Sequence, residues 1–245
     1  MKKILLLSLA LLSINSVASE VKGSVSTMIS KRDSLYKGRE ILPLPIWANL
    51  KYENLYLQGS EIGAKFLDKD NFDAFVFAQL QDGHSIKGSR MNPGYSTINR
   101  RSFQQSIGLK ADIKLKIISK DVTLSPYFSL GKRGAIGGAK LSTFFMPVER
   151  LVIVPSVSSN IYSEKYTDYY FGVDKNEIGG NITKEYSPKM SYSVSANLYG
   201  EFYFTKSLSA FAFIDVTKYG SEVTKSPIVE NKLINKTGLG LKYTF

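Results

Sequence analysis

Over residues 103–117 apolar and polar side chains take turns. Phe103, Gln105, Ile107, Leu109, Ala111, Ile113, Leu115 and Ile117 form one set, almost wholly apolar. Gln104, Ser106, Gly108, Lys110, Asp112, Lys114 and Lys116 form the other. Successive residues of a strand point to opposite faces, so the pattern predicts a ribbon with one dry and one wet side. Wound as a helix, the same lysines and isoleucines would be mixed around the circumference. Soluble strands usually run to about five or six residues, whereas a tilted strand crossing a bilayer needs roughly nine to eleven. The stretch reads as a transmembrane β-strand.

The same alternation recurs over 21–29, 46–52, 55–67, 72–80, 122–130, 141–146, 151–157, 189–204, 208–216 and 237–245. Pro43 and Pro45 can precede the 46–52 strand but not sit inside one, because each lacks a ladder donor. Single-chain bacterial barrels have an even strand number. These eleven segments therefore call for a twelfth, expected within 160–187 or near 222–230. Short polar turns (53–54, 119–121, 205–206) alternate with long loops, including 82–101 and the glycine-rich, basic 131–138. That is the arrangement of periplasmic turns and extracellular loops. A soluble all-β sandwich also alternates, but with shorter strands. A membrane forbids open sheet edges, so the ribbons must close. The fold expected is an all-β, closed antiparallel transmembrane β-barrel of about twelve strands.

Residues 1–19 stand apart. Lys2 and Lys3 precede an apolar run from Ile4 to Leu12, and small residues follow at Ser16, Val17, Ala18 and Ser19. This is the pattern of a cleaved secretory signal peptide, leaving 20–245 as the barrel in the bacterial outer membrane. Cleavage removes two lysines and no acid, so the formal charge falls from +11 to +9. The remaining basic residues are scattered over turns and wet faces, which argues against nucleic acid. Bilayer lipid and lipopolysaccharide phosphates are the expected anionic neighbours.

The search for chemistry assigns no catalytic, cofactor-binding or metal-ligating residue. Cysteine is absent and His84 is the one histidine, so nitrogen–sulfur metal sites and thiol nucleophiles are excluded. His84 and Ser85 are adjacent in a loop flanked by glycine. Neighbours in sequence offer no preset nucleophile–base pair and no orienting third group, so a solvated loop histidine is expected. Asp68, Asp70 and Asp73 lack the calcium-loop spacing and read as a charged turn. Gly134–Gly138 has no following Lys-Ser/Thr and reads as a loop. Tyr162, Tyr166, Tyr169 and Tyr170 read as an aromatic girdle. Lys110, Asp112, Lys114, Lys116, Glu201 and Lys242 are expected to line the lumen, either as a pore or around a plug.

Two resemblances add to this. Tyr243 and Phe245, with Leu239 and Leu241 at every second position before them, resemble the C-terminal signal read by the barrel-assembly machinery. Leu42-Pro43-Leu44-Pro45, Gly134-Ala135-Ile136-Gly137-Gly138, Tyr166-Thr167-Asp168-Tyr169-Tyr170-Phe171-Gly172-Val173 and Ser226-Pro227-Ile228-Val229 resemble the MipA/OmpV family of MltA-interacting outer-membrane proteins. The 82–101 loop is less acidic and the chain more lysine-rich than that pattern. The resemblance implies a non-enzymatic envelope scaffold that brings a lytic transglycosylase to a peptidoglycan synthase. A narrow porin-like diffusion channel is the alternative, and a lipid-modifying enzyme a third reading.

Overall fold

The computed structural model describes residues 21–40, 46–117 and 120–245. The leader expected over 1–19, Pro43, Pro45 and Ser119 lie outside them. The chain forms one sheet from β1 (Lys22–Arg32), β2 (Ile46–Tyr52), β3 (Leu55–Gln58), β4 (Glu61–Lys69), β5 (Phe72–Asp82), β6 (Gln104–Ile117), β7 (Lys120–Gly131), β8 (Gly134–Thr143), β9 (Phe145–Val148), β10 (Leu151–Tyr162), β11 (Ser191–Tyr203), β12 (Leu208–Tyr219) and β13 (Leu233–Thr244). Both β8 and β9 pair with β10, from Tyr162↔Ile136 at one end to Leu151↔Val148 at the other. Together they make one wall strand, broken at Phe144, and the wall has twelve. All pairs are antiparallel neighbours in sequence, and β1 pairs β13 from Ser24↔Thr244 to Arg32↔Lys236. Phe245 and Gly23 exchange two backbone hydrogen bonds at that seam (3.0 and 3.2 Å). Among the described residues every wall strand pairs with two others, and the β1–β13 pairing closes the sheet on itself.

The twelfth strand is not where it was expected. What reads as one ribbon over 55–67 folds back at Gly59-Ser60 into β3 and β4. A side chain on Gly59 would run into the Trp47 ring, and its φ of +60° suits glycine. The 163–190 and 220–232 segments hold no wall strand; they carry α1 (Glu164–Phe171) and α2 (Ser221–Thr224). A second correction concerns Gly134–Gly138, which is the start of β8 and not a loop. Lys132-Arg133 alone make the turn.

The wet and dry faces fall as the alternation demands. Ile29, Ile107, Leu109, Phe128, Leu130 and Leu239 stand more than half exposed on the outer wall. A water-soluble monomer rarely shows so continuous an apolar surface; lipid must cover it. One rim carries both described ends of the chain and the turns at 53–54, 70–71, 149–150 and 204–207. The other carries the 33–40, 83–103, 163–190 and 220–232 segments. The buried apolar core sits not in mid-barrel but at this loop rim.

Candidate functional site: a charged lumen under an aromatic plug

The inward residues of the wall are charged, hydroxylic or aromatic. Lys110 Nζ meets Glu61 Oε1 at 2.6 Å, and the Tyr56 hydroxyl donates to the same oxygen at 2.7 Å. The ammonium lies 4.6 Å from the Tyr56 ring centre and 5.3 Å from that of Phe75. Across the lumen, Glu201 takes Lys242, the Ser209 hydroxyl (2.6 Å) and the Tyr199 hydroxyl (2.8 Å). Near the turn rim Asp73 faces Lys114 at 3.3 Å and Lys65 at 3.6 Å. Charge-assisted pairs of this kind hold long side chains against the wall.

The luminal aromatics are held flat by a second device. Tyr56, Phe77, Tyr127, Phe211 and Phe213 each stand directly across the ladder from a glycine: Gly63, Gly108, Gly138, Gly240 and Gly238. A side chain at any of these glycines would meet the ring opposite at under 3.0 Å. Each glycine thus leaves room for a ring to lie along the wall, the aromatic–glycine pairing known to pin register in sheets.

The loop rim is closed by a plug. Leu35 and Tyr36, Ile86 and Ile98, Tyr166, Tyr170 and Phe171, and Val223 and Ile228 come from four separate segments into one buried cluster. They pack onto Ile136, Tyr162, Tyr219 and Ile234 of the barrel mouth. Helix α1 organises it. Its N-cap Ser163 accepts from Tyr166 N (3.4 Å) and also from Ala135 N of β8 (2.9 Å). Tyr166 and Tyr170, and Thr167 and Phe171, stand four residues apart and so share the inner face. The rings of Tyr162, Tyr166 and Tyr170 follow one another at centroid distances of 5.1 and 4.6 Å. Tyr36 donates to Tyr170 O (3.0 Å) and Ser226 to Phe171 O (2.6 Å), binding two further segments to the helix end.

Two buried ion sites lock the plug. Arg101 grips Glu177 through both nitrogens, Nη1–Oε1 2.7 Å and Nη2–Oε2 2.8 Å, with the carboxylate fully buried. Nη2 also donates to Gly172 O (3.1 Å), and Glu177 accepts from Asn99 N (2.7 Å) and Asp174 N (3.0 Å). Burial opposes the charged form of Glu177. The Arg101 bonds and the two backbone N–H groups outweigh it and hold the carboxyl below its usual range. At the second site Glu40 accepts from Leu35 N (2.8 Å) and pairs with Arg32 (3.2 Å); His84 Nδ1 lies 4.0 Å away. Burial opposes this charge too, and His84, Arg32 and the Leu35 N–H together keep Glu40 low.

Several expectations are corrected here. His84 is not solvated: it is buried among Phe171, Tyr170, Tyr36 and Tyr219, with ring centres at 5.4–6.1 Å. Ser85 donates to Arg101 O (3.3 Å) rather than to the imidazole. Tyr162, Tyr166 and Tyr170 form no lipid-facing girdle; they are plug core. Asp68 and Asp73 sit against Lys65, as a charged turn would. The expected luminal set fits throughout, with Lys110, Asp112, Lys114, Lys116, Glu201 and Lys242 on inward positions of β6, β11 and β13. Sequence reasoning missed the Arg101–Glu177 pair, 76 residues apart in the chain. It also missed Trp47, Tyr56, Phe77, Tyr127, Phe211 and Phe213 as luminal residues. Their wet-face parity was the available signal, and for all but Trp47 a glycine directly opposite.

Residues 26–245 match the family model described as MltA-interacting protein MipA. A 24 kDa outer membrane protein of Pasteurella multocida (strain Pm70) is 28% identical over 252 residues, covering 99% of this chain and 98% of that protein. The MltA-interacting protein of Escherichia coli (strain K12) is 27% identical over 95 residues, 39% of this chain and 38% of that protein. Among solved structures, an outer membrane channel from Pseudomonas putida F1 aligns at a TM-score of 0.49 with 10% identity, covering 92% of this chain and 95% of that one.

Proposed function

Given that this chain belongs to the MltA-interacting protein MipA family, we propose that this outer-membrane β-barrel serves as a non-enzymatic envelope scaffold. The observation that carries the reading is the plug. Four loop segments packed into one apolar core occupy the mouth through which a general diffusion pore would admit solutes. Closing the mouth turns the barrel into a rigid body fixed in the membrane, which is what a docking platform needs. The partner proposed is a lytic transglycosylase, in keeping with the name of the Escherichia coli relative, MltA-interacting protein, with a peptidoglycan synthase as its companion. Both would meet the turn rim, the side facing the cell wall if long loops are extracellular. Removal of 1–19, recognition of the closing Phe245 strand by the assembly machinery, and lipopolysaccharide beside the basic loop rim belong to the same reading. Crosslinking in intact envelopes followed by recovery of the barrel tests it. The expected result is co-recovery of a transglycosylase, a synthase, or both; recovery of neither ends the scaffold assignment. The second reading, a narrow diffusion channel, is favoured by the charged lumen, and steady single-channel conductance in planar bilayers would install it instead.

A further inference from the structure

We propose that the outer wall from β10 to β1 holds one phospholipid of the turn-rim leaflet, with an acyl chain in a groove of the wall and the phosphate on Arg150 and Lys206. The proposal rests on the lipid face of the barrel and not on the scaffold reading. The groove has a volume of ≈ 630 Å³, within the range of ligand sites. Its floor is made by Gly200 on β11 and by Ala210 and Ala212 on β12. All three point outward, because the residues between and beside them, Glu201, Ser209 and Phe211, are buried on the luminal side. The ladder sets Gly200 opposite Ala212, so the two smallest side chains of this face lie together. Phe202, Leu239 and Leu241 stand exposed around them as the groove's walls.

The groove has the length of one leaflet's chain. Leu151 faces Phe202, Phe202 faces Ala210, Ala210 faces Leu241, and Leu241 faces Thr27. Four inter-strand steps of about 4.8 Å make about 19 Å. Half of the hydrocarbon core is about 15 Å deep. A chain laid aslant along the tilted wall therefore fits from end to end.

The foot of the groove selects the headgroup. Arg150 directly precedes Leu151, and its carbonyl accepts from Tyr203 N (2.9 Å). Lys206 stands at the tip of the next turn, which Thr205 shapes by accepting from Ser207 N (3.2 Å) and Leu208 N (3.0 Å). Both cations are exposed, and neither takes part in the ion pairs formed among the described residues. Glu149 is the one acid on these two turns, so a positive charge is left over. On the luminal side Glu201 and Lys242 neutralise each other. Aromatic rings fix the depth. Phe202 and Phe204 meet edge to face at 5.6 Å, and Tyr243 and Phe245 lie 6.3 Å apart beside them. Such a belt marks the headgroup level of a barrel, and it runs at the height of Arg150 and Lys206. A chain rising from that level into the groove brings its phosphate to the two cations. Lipopolysaccharide phosphates belong to the opposite rim, beside the long loops, so a phospholipid is the occupant.

The test is native mass spectrometry of the full barrel released from detergent. The barrel is titrated with dipalmitoyl phosphatidylglycerol and with dipalmitoylglycerol, which has the same tails and no phosphate. One phosphatidylglycerol should be retained per barrel, at least about tenfold more tightly than the diacylglycerol, the ratio that 1.4 kcal/mol corresponds to. Arg150→Gln and Lys206→Gln should each weaken phosphatidylglycerol about fivefold, the factor for 1 kcal/mol per surface cation, and leave diacylglycerol unchanged. Filling the floor with Ala210→Leu and Ala212→Leu together should weaken both lipids at least about tenfold. Ala78→Leu, on the outer wall of β5 between the exposed Val76 and Leu80, should weaken neither. Equal retention of the two lipids by the wild-type barrel overturns the proposal. So does unchanged affinity in the filled variant, or a lipid-free barrel dimer, in which a second copy covers the face. The comparison of the two lipids needs no variant, so it stands even if a substitution impairs folding.

Discussion

Adding one methyl group at Gly238 and one at Gly200 should move stability in opposite directions. Gly238 points into the lumen of β13 opposite Phe213; its new Cβ would lie 2.6 Å from Phe213 Cε1, 2.7 Å from Cζ and 3.2 Å from Ile29 O. Comfortable carbon–carbon contact is about 3.5–4.0 Å, so the ring must swing by about an ångström or the β12–β13 ladder must part. Overpacking of this kind costs about 1–3 kcal/mol. The move also displaces the ring from Lys236, whose ammonium sits 5.2 Å from its centre, a contact worth about 0.5–1 kcal/mol. Against this stands about 0.4–1 kcal/mol from a less flexible unfolded chain. The net expectation for Gly238→Ala is about 0.5–3.5 kcal/mol of destabilisation, centred near 2. Gly200 faces outward on β11 with nothing within 4 Å of its would-be Cβ, so no clash opposes the unfolded-state term, the added methyl faces lipid, and Gly200→Ala gains at least about 0.4–1 kcal/mol. Urea titration of the barrel in lipid vesicles measures both, by far-ultraviolet dichroism and by emission of Trp47, the single tryptophan. Phe213→Ala in the Gly238→Ala background should recover part of the loss, with a coupling of at least about 0.5 kcal/mol. If Gly238→Ala unfolds at the same urea concentration as wild type or higher, the aromatic–glycine account of the wall is wrong.

Other perturbations bear on the plug. Glu177→Gln leaves the buried Arg101 guanidinium without its countercharge, a change worth up to about 3–5 kcal/mol. Trypsin should then cut near Arg100 and Arg101 markedly faster while the barrel's dichroism is retained; an unchanged cleavage rate refutes the locking role. The acid response follows from the same pair. The native pKa of Glu177 is depressed, so its contribution is complete above the ordinary glutamate range and is lost as pH falls through the lowered native value. Amide exchange at Asn99 and Arg101, corrected for intrinsic rates, should accelerate between pH 7 and pH 3 in wild type and much less in Glu177→Gln. Ser163→Ala removes the cap of α1 and orphans Ala135 N–H. A loss of about 1 kcal/mol in local opening free energy around Tyr166 is expected, readable by hydrogen exchange.

The wall was legible because a two-residue period over ten or more positions has one cheap solution in a bilayer. The 103–117 ribbon shows this best, since every inward lysine and outward isoleucine falls where parity puts it. Strand counting failed at 55–67, where the outward set switches from odd positions (Leu55, Leu57) to even ones (Ile62, Ala64, Phe66) across the turn of Gly59 and Ser60. The reversal is marked by that change of parity, by Gly59, and by Trp47 twelve positions earlier, whose ring fills the space at the glycine. The plug was opaque for a different reason. Its apolar residues come from four loops with no period at all, and Arg101 meets Glu177 only after the barrel has brought their loops together. Tyr162, Tyr166 and Tyr170 were visible as a cluster. With an interfacial belt as the commoner use of tyrosine in a barrel, nothing local pointed them inward.

The four-residue strand Leu55–Gln58 has a consequence for the surrounding membrane. It rises about 13 Å, whereas the fourteen residues of Gln104–Ile117 run about 46 Å. Acyl chains packed beside the short staves find less height to match than those on the far side. They must splay, shorten or let the whole cylinder lean, at a fraction of a kcal/mol for each ångström of mismatch. A body with one low flank imposes a dimple on its bilayer, and neighbours that also prefer thin membrane will gather there without any contact surface evolved for them.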